Sequence, residues 1–531
     1  MRRFVASIVT ILSAVQLVAQ QLPERPKLVV TITVDQLRSD LLHLFYEAFG
    51  ESGFKKLMKE GTVCFDLDYD YPNVDKSNSV ATLFTGTTPF YHGIISNDIY
   101  VKHHKATQPI LYDKEFMGNY SPETVSPRAL LTSTIGDELK VATENLSDVY
   151  SIAPGYEQAL LSAGHAANAA FWIDNTTGRW ATSTYYKDAP SFFEQYNISF
   201  PLNTKIETTS WMPLNAPSFY KFLPFQSRDF GFKYSFPKSK PDNVRQFKNS
   251  ALVNEEITQF ASTLIKNAPV GKRNYPDLIN VTYYAGSFNE KSLTDNSLEI
   301  QDTYLRLDTQ LGNLISAIDQ KVGLNNALIV VASTGYFDAE YYTPERMKIP
   351  GGDFYPKRCV SLLNMYLMAI YGQGEWVNGY HNNQVFLNRK LIDDKQIDLK
   401  EIQTKSAEFL VQMTGVQDVV TAHTLQHGTT SDMNRRMRNG YHRKLSGDLF
   451  VEIQPGWTVK HDSSNSRDEQ IRNNAVMSPL FILGANTVPQ KIEYPVKATK
   501  IAPTICSFLR IRAPNACSET PLNEVLFQKK N

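Results

Sequence analysis

The sequence is short of most features that would place it quickly. It has four cysteines in 531 residues and no CxxC or CxxH pair, which excludes a disulfide-dense scaffold and a structural zinc motif. Neither sign of charge is in excess: Lys plus Arg and Asp plus Glu are 54 each, so there is no bulk attraction to nucleic acid or to an anionic membrane. After the first twenty residues no apolar run approaches the ~20 residues that span a bilayer, and there is no internal repeat or low-complexity tract. Hydrophobic residues at 42% against only 20% charged exclude disorder and coiled coil. The class left is a large globular protein able to bury a substantial core.

The N-terminus is read apart from that core. Arg2 and Arg3 precede an apolar run from Phe4 to Val18, and Leu17-Val18-Ala19 supplies the small residue that a signal peptidase requires. Residues 1–20 are therefore expected to be a signal peptide and 21–531 an exported domain, periplasmic or extracellular, with no transmembrane segment after cleavage; an uncleaved anchor is the alternative. Export permits disulfides. Cys506 and Cys517, close in sequence, are the expected pair, and Cys64 and Cys359 are expected to be buried thiols.

Three β-branched, apolar runs read as strands buried on both faces: Leu28 to Val34 ending at Asp35, Leu278 to Tyr284, and Ala327 to Ala332 ending at Ser333. Between the last two, residues 297–322 carry apolar side chains at helical spacing, so the segment is a βαβ unit. The expected fold is α/β, a doubly wound, mainly parallel sheet, with Asp35 at a strand end where such sheets place their ligands. Residues near 185–250 and 336–379, rich in Tyr, Phe and Pro and lacking periodicity, are expected to be cap insertions over the sheet's C-terminal edge.

Several motifs then acquire a common meaning. Val34-Asp35-Gln36, Phe84-Thr85-Gly86-Thr87-Thr88-Pro89, Ser96-Asn97-Asp98, Ala163-Gly164-His165, Ser446-Gly447-Asp448 and Pro455-Gly456-Trp457 follow one another as in the alkaline phosphatase superfamily. The chain resembles its bacterial monoesterase and nucleotide pyrophosphatase-phosphodiesterase branch over nearly the whole exported part. That resemblance implies two zinc ions about 4 Å apart, three Asp and three His ligands, and a Thr or Ser nucleophile between the metals.

The matching positions depart from this pattern. Asp35 keeps the first ligand, and Lys76 stands at the nucleophile position, with Ser77 and Ser79 out of register. Val80, Tyr283, Ser287, Ser333 and Thr334 stand where ligands or their neighbours are expected, and His461 is the one candidate for the last His. Gly155 and Glu157 replace a Lys and an Arg that would hold phosphate, and Glu157 is expected to repel it; Asn97 survives as a substrate-shell remnant. The aromatic group Phe171, Trp172, Trp180, Tyr185 and Tyr186 reads as packing, with a stacking surface as the alternative. His423 and His427, four apart, read as a polar loop.

The reading is an exported, catalytically inactive pseudophosphatase that binds or scaffolds a protein or an envelope glycan, with no cofactor expected. The alternative is a metal-dependent phosphate, phosphonate or sulfate ester hydrolase with a rearranged site around Asp35, Asp75, Asp338 and His461, for which zinc would be the cofactor. With no metal to balance Asp35, Lys76 is expected to pair with it.

Overall fold

In the computed structural model the described residues are 24–187, 189–220, 231–337, 350–428, 431–461, 468–472 and 476–526. The expected signal peptide and Asp338 lie outside them. Eleven strands form the central sheet and are numbered here in chain order: β1 (Leu28–Asp35), β2 (Thr62–Cys64), β3 (Tyr112–Asn119), β4 (Thr124–Val125), β5 (Val149–Ala153), β6 (Ala169–Ile173), β7 (Trp180–Ser183), β8 (Asp277–Tyr284), β9 (Ala327–Ser333), β10 (Leu480–Gly484) and β11 (Gln490–Ile492). The spatial order is β11-β2-β10-β9-β1-β8-β5-β6-β7-β3-β4. The five adjacent strands β9, β1, β8, β5 and β6 are all parallel. The strands beside them, β10 and β7, run antiparallel.

Every residue of β1, β8 and β9 is buried, as a two-sided apolar strand requires. Within β1, Leu28, Val30, Ile32 and Val34 enter one hydrophobic cluster while Val29 enters the cluster on the opposite face, which is the period-2 alternation of a pleated strand. The helix expected between the last two of these strands is present over Ser297–Val322, and the crossover sets β8 and β9 on either side of β1.

The segment expected to be the first insertion packs on one face of the sheet. Its short helices bury Phe193, Tyr196, Leu202, Ile206 and Phe247 in the same cluster as Leu305 and Leu311 of the long helix. The second, expected over 336–379, is the opening of a larger lobe. The helix Pro356–Tyr371 packs on a four-stranded sheet formed by Val377–His381, Gln384–Leu387, Leu449–Ile453 and Val416–Thr421, around a separate apolar cluster running from Phe354 to Val459. Sequence reading ended the insertion where the Tyr- and Pro-rich composition ended, but the core that stabilises it draws on residues eighty positions further along.

The Cys506–Cys517 bridge is not formed. All four cysteines are free thiols: Cys64, Cys359 and Cys506 are buried and Cys517 is half-buried. Cys506 lies on the inner face of the helix Ile501–Leu509, and Cys517 directs its thiol to the Glu519 carbonyl at 3.8 Å. Burial, and then the neighbouring Cys517, raise the Cys506 thiol, so the two thiols are neighbours that are not bonded.

Candidate functional site

The site is built at the C-terminal ends of the parallel strands. Asp35 closes β1, and its carboxylate accepts a 2.9 Å hydrogen bond from the Thr334 hydroxyl just after β9. The Thr334 oxygen also accepts from the Gln36 N–H at 3.2 Å, and the Ser333 hydroxyl donates to the Leu37 carbonyl at 2.7 Å. The two residues at the position of a ligand pair therefore tie one strand end to the next.

Facing them is the N-terminus of helix α1 (Lys76–Thr85). Asp75 is its N-cap: the side chain accepts from the N–H groups of Ser77 and Asn78, and Asn78 answers by accepting from the Asp75 N–H, a reciprocal capping box. At the other end Gly86 adopts φ 65°, a left-handed C-cap that a glycine enters without strain. Asp75 also accepts from the Asn97 N–H at 2.7 Å, and Ser77 donates to Asn97 Oδ1 at 2.6 Å. Burial, outweighing these bonds, pushes the Asp75 carboxyl up to about 6.

Lys76, the first residue of α1, points into this space but does not make the ion pair expected of it. Its ammonium lies 2.9 Å from the Glu157 carboxylate, and Asp35 acts on it only as a weaker electrostatic neighbour. The reason is packing. Glu157 belongs to the first turn of helix α2 (Tyr156–Ala163), which lies against α1, whereas Asp35 is engaged by Thr334. Burial alone would lower the lysine's pKa, but Glu157, then Asp35 and Asp75, hold it above its ordinary value. Burial alone would likewise raise Glu157, and Lys76 holds it below the usual carboxylate range. A carboxylate of the protein's own thus takes the cation and the helix N-terminus that would otherwise receive a ligand's anion. Gly155 is part of the same exchange, since a Cβ there would meet Glu157 Oε2 at 2.7 Å and Gln158 Oε1 at 2.9 Å.

The remaining candidates are spent elsewhere. Tyr283 is fully buried and bonds the Thr258 hydroxyl at 2.8 Å; Ser287 accepts from Asn296 Nδ2 at 2.9 Å. His461 lies beside Asp468, whose carboxylate accepts its N–H at 3.3 Å, and near His381 and Glu469. It is not among the residues around Asp35. Among the described residues no group of three or more His, Cys, Asp or Glu side chains converges to hold a metal. The zinc pair that the resemblance implies does not fit this donor set: hydroxyls engaged in hydrogen bonds within the protein and a tyrosine turned into the core replace imidazoles and carboxylates, and an ammonium stands at the nucleophile position. Phe171 and Trp180 are packing residues, Trp180 stacking on Phe260 at 4.0 Å, whereas the buried Trp172 also lines the cavity over Asp35. His423 and His427 do share a face, their rings stacked at 4.2 Å, on the short helix Ala422–His427.

A cavity of about 280 Å³ opens over Asp35, Lys76, Asn97 and Glu157. Four of its charged residues, Asp174, Arg245, Glu123 and Lys248, carry no signal in the sequence, and the last two stand out. Glu123, in the turn between β3 and β4, has its carboxyl raised by burial and then by Asp174 and Glu157. Lys248 ends the insertion's last helix and donates to the Ile173 carbonyl at 2.9 Å and Asn175 Oδ1 at 2.8 Å; burial lowers it to about 8. No local motif marks either residue.

Residues 29–475 match the family of type I phosphodiesterases / nucleotide pyrophosphatases. The chain is 30% identical over 537 residues to a calcium-transporting ATPase of Myroides odoratus, covering 95% of each chain. It is 27% identical over 547 residues to alkaline phosphatase PafA of Elizabethkingia meningoseptica, covering 94% of this chain and 95% of that one. The crystal structure of wild-type PafA superposes with a TM-score of 0.82 at 26% identity, over 95% of this chain and 99% of that one.

Proposed function

Because the chain belongs to the type I phosphodiesterase / nucleotide pyrophosphatase family and keeps its fold while the charges of its site are exchanged, we propose that it is an exported pseudophosphatase. It binds a ligand or partner at the former catalytic cavity and does not hydrolyse it. One observation carries this reading: the residue at the nucleophile position is Lys76, and its ammonium is paired at 2.9 Å with Glu157, which stands where the family would hold phosphate with a cation. A lysine held protonated has no lone pair with which to attack phosphorus, and a carboxylate in that place opposes a phosphate dianion. The partner is an envelope glycan or a protein.

The second reading, a working hydrolase, draws on the similarity to alkaline phosphatases along the chain. It would need donors from outside the Asp35 cluster, because His461 lies elsewhere and Asp75 is committed to capping α1. The two are separated by metal analysis and by turnover of p-nitrophenyl phosphate and bis-p-nitrophenyl phosphate, with and without added zinc. The pseudophosphatase should retain less than about 0.1 zinc per chain, against about two for a working site, and show no zinc-dependent turnover. Turnover abolished by Asp35→Ala would overturn it.

A further inference from the structure

The cavity over Asp35 has the wrong balance for an anion. Four carboxylates line it (Asp35, Glu123, Glu157 and Asp174) against three cations (Lys76, Arg245 and Lys248). Much of that charge is internally matched: Lys76 pairs with Glu157, the exposed Arg245 pairs with Asp242, and Asp174 accepts from the Ser121 hydroxyl and the N–H groups of Thr176 and Thr177.

What is left over is a set of mixed polarity. The Trp172 indole N–H is buried, in a side chain 1% exposed, with no hydrogen-bond partner among the described residues. Asn97 spends its Oδ1 on Ser77 and keeps its amide N–H₂ without a partner among the described residues. The Tyr156 hydroxyl is likewise unpartnered, with Glu157 and Glu123 as its nearest influences. Against these donors Glu123 presents a carboxylate that accepts no hydrogen bond from any described residue, although burial raises its pKa and so disfavours its charge. Only the Trp172 N–H is fully buried, and Asn97, Tyr156 and Glu123 are half-buried on the same wall; a wall that presents donors and an acceptor together is complementary to a ligand supplying both. A phosphate monoester dianion supplies acceptors only, and an ammonium donors only. A hydroxyl supplies both.

We propose that this cavity binds an uncharged, hydroxyl-rich ligand of about one sugar ring, with Glu123 accepting from its hydroxyls and Trp172, Asn97 and Tyr156 donating to them. The inference rests on the pseudophosphatase reading and specifies the ligand class of the same site. The ring could arrive free or as the end of a glycan, so both forms are probes.

The test is isothermal calorimetry and thermal shift of the full exported chain with glucose, N-acetylglucosamine, cellobiose and chitobiose, alongside glucose 6-phosphate and inorganic phosphate. At least one neutral sugar should bind saturably with Kd of about 1 mM or tighter. Binding of the monosaccharides marks a free ligand, and binding of the disaccharides alone marks a glycan end. Glu123→Gln should weaken that binding by about tenfold without lowering the Tm of the free protein, because it removes a carboxylate that the fold leaves unpaired; a structural role would lower the Tm. Absence of saturable binding by all four sugars to about 50 mM, or preference for phosphate over the sugars, overturns the ligand class. Zinc-dependent hydrolysis by the same preparation would instead overturn the pseudophosphatase reading beneath it.

Discussion

Separating Lys76 from Glu157 should destabilise the protein unequally, depending on which partner is removed. At 2.9 Å the attraction is about 6 kcal/mol gross at an effective dielectric of 20. The Lys76 side chain is 33% exposed and Glu157 14%, so solvent screening and desolvation reduce the net coupling to about 1–2 kcal/mol. Lys76→Met leaves Glu157 facing Glu123, offset by a backbone N–H and Lys248, at a cost of about 2–3 kcal/mol. Glu157→Gln leaves the more exposed ammonium near Asp35 and Asp75 and should cost less than about 1 kcal/mol. Urea denaturation of both single variants and the double variant at pH 7 gives the coupling directly. The pH dependence has a definite sign. Glu157 is held below its ordinary value in the folded state, so its contribution is present above its unfolded pKa of about 4.3 and is lost as pH falls through the lower folded value. The double variant should therefore lose less stability on acidification. A coupling under about 0.3 kcal/mol, or Lys76→Met no worse than Glu157→Gln, would refute the reasoning.

Asp75 behaves oppositely: its carboxyl is raised to about 6, so the folded state holds a proton that the unfolded state has released, and stability falls as pH rises between about 4 and 6. Asp75→Asn keeps a capping oxygen and should flatten that slope, by about 1–2 kcal/mol across the window after allowance for partial exposure, in urea melts at pH 4 and 7. Lys248, lowered to about 8, disfavours its charge in the fold, so stability should rise as pH climbs from about 8 to 10. Lys248→Met should remove that rise, and an unchanged profile would place the amine in solvent. The free thiols predict that the denatured, unreduced protein consumes four equivalents of a thiol reagent; two would indicate a bridge.

Much of the scaffold was legible because its signals are local. The runs at 28–35, 278–284 and 327–333 read as two-sided strands because they are short, dominated by β-branched and apolar residues and free of Gly and Pro, and the helix at 297–322 declared itself by spacing. The motif anchors also located Asp35, Lys76, Glu157 and Asn97 at one site, and the cavity does gather all four. Their partnerships were not legible. Lys76 and Glu157 lie on different helices, and only the packing of α1 on α2 chose Glu157 over Asp35. Glu123 and Lys248 come from a turn and an insertion with no periodicity, and the lobe core joins Phe354 to Val459. Cys506 and Cys517 are free in the structure, although Cys517 is near enough to act on the Cys506 thiol. The sequence alone determined which backbone segments must be buried, because solvation acts residue by residue. Which charges face one another was decided only by the tertiary structure, because an ion pair depends on a separation of a few ångströms that no spacing along the chain encodes.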